Sequence, residues 1–135
     1  MKLFIALCAV IAVASAAFNK EEFLKMREEC LKSEKVPAAI IEKLKHREYE
    51  QDLGHEAKCY IRCMGLKTGV WDDTHGYNVD KTYDDFHSAG LEVSKDNLKK
   101  CFKSSGDDDK CVWAAKDVKC LWTNKYVTIK KDLFE

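Results

Sequence analysis

The sequence has a single proline, Pro37, and no stretch rich in Pro, Gly or Ser, so nothing marks a linker between domains. Apolar/polar alternation is equally scarce; none persists beyond Tyr126–Ile129, which removes the main signal for strands. Excess charge of one sign is missing too. The 23 Lys and Arg balance 23 Asp and Glu in interspersed order, which excludes the clustered basic face of a nucleic-acid binder and a polybasic membrane-surface segment. No Cys-x2-Cys pair occurs, so the usual spacing of a zinc site is absent and no metal or cofactor is called for. There is no Gly-x-Ser-x-Gly elbow and no His-Asp pair beside adjacent cysteines. His46, His55, His75 and His87 are scattered without a nucleophile, which speaks against an enzyme.

What is present begins at the N-terminus. Met1-Lys2 gives a positive start, Leu3–Val13 an apolar run, and Ala14-Ser15-Ala16 a small-x-small cleavage site. Residues 1–16 are expected to be a signal peptide, leaving one domain over 17–135. The competing membrane anchor is disfavoured because the apolar run is shorter than the roughly 20 residues of a spanning helix. Of seven cysteines, Cys8 falls in that leader. The six left form an even set in an oxidising compartment, the signature of a disulfide framework.

The chain reads as all-α, a bundle of about six helices plus a C-terminal tail. Asn19 with Glu22 suggests a capping box for a first helix ending near Ser33, and Pro37 suits the first position of a second. A third helix follows Gly54 and ends near Gly65–Gly69, and Trp71 to Gly76 is turn-like. Asn78 or Asp80 caps a fourth, Ser94 a fifth, and Asp107–Asp109 stand where a sixth begins. The tail from Asn124 is apolar enough to pack, either over the mouth of a pocket or as a surface helix.

The cysteine spacing is Cys30-x28-Cys59-x3-Cys63-x37-Cys101-x9-Cys111-x8-Cys120. Four residues apart in one helix, Cys59 and Cys63 share a face one turn apart, so each must reach a different neighbour. Counting alone leaves 15 pairings open.

On this spacing, on Cys59-Tyr60-Ile61-Arg62-Cys63, and on the turn from Gly69 to Val79 leading into an acidic helix, the chain resembles the insect odorant-binding proteins of the pheromone and general odorant-binding type. One departure is visible: many members carry a glycine shortly before an acidic-aromatic pair where this chain has Arg47-Glu48-Tyr49. The resemblance implies the pairing Cys30–Cys63, Cys59–Cys111 and Cys101–Cys120 around an internal hydrophobic pocket. It also implies a secreted, extracellular carrier of a small hydrophobic ligand such as an odorant, pheromone or fatty acid, with a membrane receptor at delivery and a monomeric or weakly dimeric state. The same scaffold also fits a scavenger in reproductive, salivary or haemolymph fluid, or a protein-protein regulator with its pocket filled. Acid-linked release is a further implication, with His75 and His87 as candidates.

The apolar helix faces supply a candidate lining: Phe23, Met26, Ile40, Leu44, Tyr60, Met64, Tyr83, Phe86, Leu98, Phe102, Val118, Leu121 and Trp122, with Tyr126 and Phe134 from the tail. Without the resemblance these residues would simply make a core. Burying ten to twelve methylenes gains roughly 8–10 kcal/mol, and association costs at least about 4 kcal/mol. A bare alkyl chain therefore binds weakly, and tighter binding needs a polar contact. Tyr60, Tyr83, Tyr126, Trp122, His87 and Arg62 are all conceivable partners for a polar head, and the sequence does not choose among them.

Overall fold

Six helices and two minimal β-ribbons make up the described part of the computed structural model, residues 19–103 and 106–131. The expected signal peptide and the tail residue Phe134 lie outside these residues. The helices are α1 (Lys20–Ser33), α2 (Ala38–Lys45), α3 (His55–Thr68), α4 (Val79–Ser88), α5 (Lys95–Cys101) and α6 (Lys110–Thr123).

Local chemistry starts most of these helices where the sequence indicates. The side chains of Asn19, Asn78 and Ser94 accept from the backbone N–H three residues on, and Asp109 accepts from Cys111 and Val112. Pro37 stands one position earlier than expected, as the extended residue just before α2. The helix stops are less visible in sequence. α1, α2 and α6 each end in the same double hydrogen bond, with Lys35, Arg47 and Lys125 in the left-handed region at φ 53°, 55° and 56°. In each case that residue's N–H bonds three residues back, to Lys32, Leu44 and Trp122. The next N–H bonds five residues back, to Leu31, Lys43 and Leu121. Arg47 thus makes its turn without the glycine common among the proteins this chain resembles.

The turn-like segment after α3 is a tight β-ribbon, β1 (Trp71–Asp72) paired antiparallel with β2 (Gly76–Tyr77). It lies against α3 at Gly65, where a Cβ would come within 2.6 Å of Trp71 Cβ. Asp73 anchors it further. Its carboxylate takes both the Arg62 guanidinium, through Nε at 2.8 Å and through Nη2, and the Trp71 indole N–H at 2.9 Å. The described part of the tail, residues 124–131, forms no helix and is tied to the body of the fold. Its β4 (Thr128–Ile129) pairs with β3 (Leu91–Glu92), and Lys130 and Lys131 donate their backbone N–H to Gly90 O.

Three disulfides tie this frame: Cys30–Cys63 joins α1 to α3, Cys59–Cys111 joins α3 to α6, and Cys101–Cys120 joins α5 to α6. Sequence separations of 33, 52 and 19 residues make each worth about 3–4 kcal/mol in the chain-entropy model.

Two stability predictions follow from the backbone. Lys35→Gly and Lys125→Gly, at exposed positions, should each raise stability by about 0.5–1 kcal/mol, since an L-residue costs roughly 1–2 kcal/mol in this conformation and glycine gives part of that back as unfolded-chain entropy. Gly65→Ala should lower it by about 1–3 kcal/mol by driving Trp71 off α3. Denaturant unfolding of the oxidised protein measures both, and a stabilised Gly65→Ala variant would contradict the packing described.

Candidate functional site

Between α1, α3, α4 and α6 the packing leaves a cavity of about 130 Å³. Tyr60, Ile61 and Met64 of α3 form one wall, Val118, Leu121 and Trp122 of α6 another, and Thr82, Asp85 and Phe86 of α4 a third. Phe23 of α1, Arg47 and Tyr49 of the α2–α3 connection, Tyr77, Phe102, Leu91 and residues at the end of α3 complete it. The rings brace one another edge to face: Trp122 lies 4.8 Å from Tyr49 and 6.1 Å from Phe86, while Tyr77 stacks on Phe102 at 4.9 Å. The volume is close to that of a roughly 150 Å³ engineered apolar cavity that admits benzene. A ring or short chain enters as the walls stand. A longer ligand requires Met64 and the flanking rings to shift, which an unbranched thioether does readily.

Eight of the fifteen residues named from the sequence border this space: Phe23, Tyr60, Met64, Phe86, Phe102, Val118, Leu121 and Trp122. Others lie elsewhere. Ile40 and Leu44 pack with Cys30, Leu31 and Ala57 in a solid cluster between α1, α2 and α3. Leu98, fully buried, joins Val93, Cys101 and Leu121 in a second cluster under α5, against which Tyr83, Tyr126 and Val127 also rest. Met26 is half-buried on α1 and does not border the cavity, and Phe134 lies outside the described residues. The reason is geometric: each apolar stripe is wide enough to serve a solid cluster along part of its width and the cavity along the rest.

Several polar or small residues at the cavity have no apolar signature and were not singled out from the sequence, among them Arg47, Tyr49, Thr68, Thr82 and Asp85. The signal that reaches Thr82 and Asp85 is helical register, because with Phe86 and Ala89 they follow the i, i+3, i+4, i+7 spacing of one α4 face. The candidate polar partners are also redistributed. Arg62 is held by Asp73 in the ribbon anchor, and His87 stacks on Tyr83, ring centroids 6.2 Å apart, along an outer groove with Val93 and Lys95. His75 sits on the ribbon turn, its Nδ1 3.2 Å from Asp72.

One cluster has the composition of a metal site: ligand atoms of His55, Cys59 and Cys111 lie within 4.8 Å of one another. Its chemistry does not fit. The two sulfurs are bonded to each other, so neither is a thiolate, and His55 Nε2 is engaged by Asp109 at 2.9 Å.

Burial sets the protonation of the cavity wall. The phenols of Tyr49, Tyr60 and Tyr77 are pushed upward by desolvation and stay neutral. Desolvation alone pushes the Asp85 carboxyl up to about 6. Asp73 moves the other way, to about 2, held down chiefly by its hydrogen bonds from Arg62 and also by that from Trp71, against some desolvation.

These shifts have opposite consequences for stability. The folded chain binds a proton at Asp85 more tightly than the unfolded chain, so this group's contribution falls as pH rises from about 4 through about 6. Asp73 contributes stability above about pH 4 that is lost as pH falls toward about 2. Asp85→Asn should therefore raise the thermal midpoint at pH 7 and give no gain at pH 4. Equal midpoints for variant and parent at pH 7 would contradict the assignment.

Comparison with known proteins agrees with this architecture. Residues 14–124 match the model of the PBP/GOBP family. The chain is 35% identical over 137 residues to odorant-binding protein 22 of Aedes aegypti, covering 98% of each chain. It is 32% identical over 140 residues to general odorant-binding protein 99a of Drosophila melanogaster, covering 98% of this chain and 97% of that one. With six helices among the described residues, three interlocking disulfides and this match over most of its length, the chain belongs to the PBP/GOBP family.

Proposed function

We propose that the protein is a secreted carrier that takes up small hydrophobic or amphipathic molecules, such as odorants, pheromones or fatty acids, in an aqueous extracellular fluid, without catalysis. The observation that carries this reading is the apolar cavity walled by Tyr49, Phe86, Phe102, Leu121 and Trp122 inside a disulfide frame. A chain selected only to fold would gain by filling that space, since an empty cavity costs about 24 cal/mol per Å³. Both relatives are named as odorant-binding proteins, and the cavity is suited to that class of ligand. No helix among the described residues is long and apolar enough to cross a membrane. The cavity suits reproductive, salivary or haemolymph fluid as well as olfaction, because its chemistry reads ligand class and not tissue. The eight cavity residues identified from the sequence, with Tyr49, Thr82 and Asp85, are the proposed ligand contacts. The tail, laid along β3 beside cavity residue Leu91, is proposed to support the wall.

The test is displacement of the fluorescent probe N-phenyl-1-naphthylamine by medium- and long-chain alcohols, aldehydes and acids. The proposal predicts one probe per chain, micromolar displacement, and about tenfold weaker binding for Phe86→Ala or Trp122→Ala variants that keep the parent's circular dichroism. A folded, oxidised protein that does not bind the probe would refute the carrier reading.

A further inference from the structure

Thr82 is the one buried residue of α4, 1% exposed, and it borders the cavity. Its backbone N–H bonds to Asn78 O in the ordinary helical way, yet no described residue partners its Oγ1. An unsatisfied hydroxyl in an apolar wall is costly, and valine has the same shape without that cost. Three residues on, Asp85 borders the same cavity from the same α4 face. Among the described residues none compensates its partial burial, which pushes its carboxyl upward. Two polar side chains thus share the α4 wall of a space lined elsewhere mainly by rings and aliphatic carbons, with Arg47 and Thr68 the other polar residues outside the tyrosines. Their joint capacity is specific: the threonine hydroxyl donates, and the carboxylate accepts.

We infer that Thr82 and Asp85 form the head-group end of the cavity and select ligands carrying a neutral hydroxyl, whose oxygen accepts from Thr82 Oγ1 while its O–H donates to Asp85. This rests on the carrier reading and gives it a ligand class, that of apolar alcohols. The choice of an alcohol follows from the pair. An aldehyde or ether accepts from Thr82 but gives Asp85 nothing, and a hydrocarbon leaves both groups unsatisfied. A site built to pair with a hydroxyl rejects the analogue lacking it, because the buried groups are then left bare.

The test uses the full oxidised protein and three ligands of equal heavy-atom number, hexanol, methyl pentyl ether and heptane, displacing N-phenyl-1-naphthylamine near neutral pH. Hexanol should bind about tenfold tighter than the ether, reflecting the bond to Asp85. Thr82→Val should lower the hexanol-to-heptane affinity ratio about tenfold, while Thr82→Ser, which keeps the hydroxyl, holds the parent ratio. Because Thr82→Val removes an unpartnered buried hydroxyl, its ligand-free thermal midpoint should be no lower than the parent's; a lower one would mean that the hydroxyl serves the fold and would overturn the inference. Equal binding of hexanol and ether, or a hexanol-to-heptane ratio untouched by Thr82→Val, would also overturn it and leave the carrier reading standing. Failure of the probe to bind at all would overturn both.

Discussion

Cys59 and Cys63 lie one turn apart on α3 and are bonded to different helices, Cys63 to α1 and Cys59 to α6. That double attachment fixes α3 between its neighbours in both position and rotation. With α3 fixed, Tyr60, Ile61 and Met64 must face the space between α1, α4 and α6, because residues interleaved with two anchored cysteines cannot rotate away. The third bond, Cys101–Cys120, fastens α5 against the same α6, with Leu121 next to its anchor fully buried.

This arrangement tolerates a hollow centre. A void of about 130 Å³ costs on the order of 3 kcal/mol at 24 cal/mol per Å³. One disulfide of this loop length offsets that, so the cavity does not depend on being filled for the protein to remain folded. The apolar residues that would normally close such a space are divided among separate clusters: Leu44 and Leu53 on the α1–α2–α3 side, Leu98 and Val93 under α5, Trp71 and Trp113 beneath the β1–β2 ribbon. The cavity lies where these clusters fail to meet.

Much of the frame was legible in the sequence, and for reasons that can be named. Side-chain caps at Asn19, Asn78, Ser94 and Asp109 are local chemistry, so the helix starts could be read from short windows. The end of α1 near Ser33 was read correctly, but the left-handed turns at Lys35, Arg47 and Lys125 were hidden because basic residues occupy a conformation usually signalled by glycine. The ribbon at Trp71–Tyr77 and the pairing of Leu91 with Ile129 are too short for alternation to register, and tertiary anchors such as Asp73 decide them. The odd-even logic of the cysteines gave the framework, while the pairing came from resemblance and is what the structure contains. For the site, hydrophobicity found ring and aliphatic walls but could not separate Phe86, on the cavity, from Leu98, in a solid cluster. It also passed over Thr82 and Asp85, which hydrophobicity cannot mark and only their register with Phe86 on α4 could have shown.

Small apolar molecules are proposed to occupy the space between α3, α4 and α6 and not the outer groove along Tyr83, His87 and Val93. The most direct measurement is an isotope-filtered NMR experiment on the oxidised, methyl-labelled protein with hexanol. Nuclear Overhauser contacts from ligand protons to the methyl groups of Met64, Val118 and Leu121 are expected if the ligand lies in this cavity. Contacts confined to Val93, or a saturating ligand with no contact to those three residues, would contradict this placement.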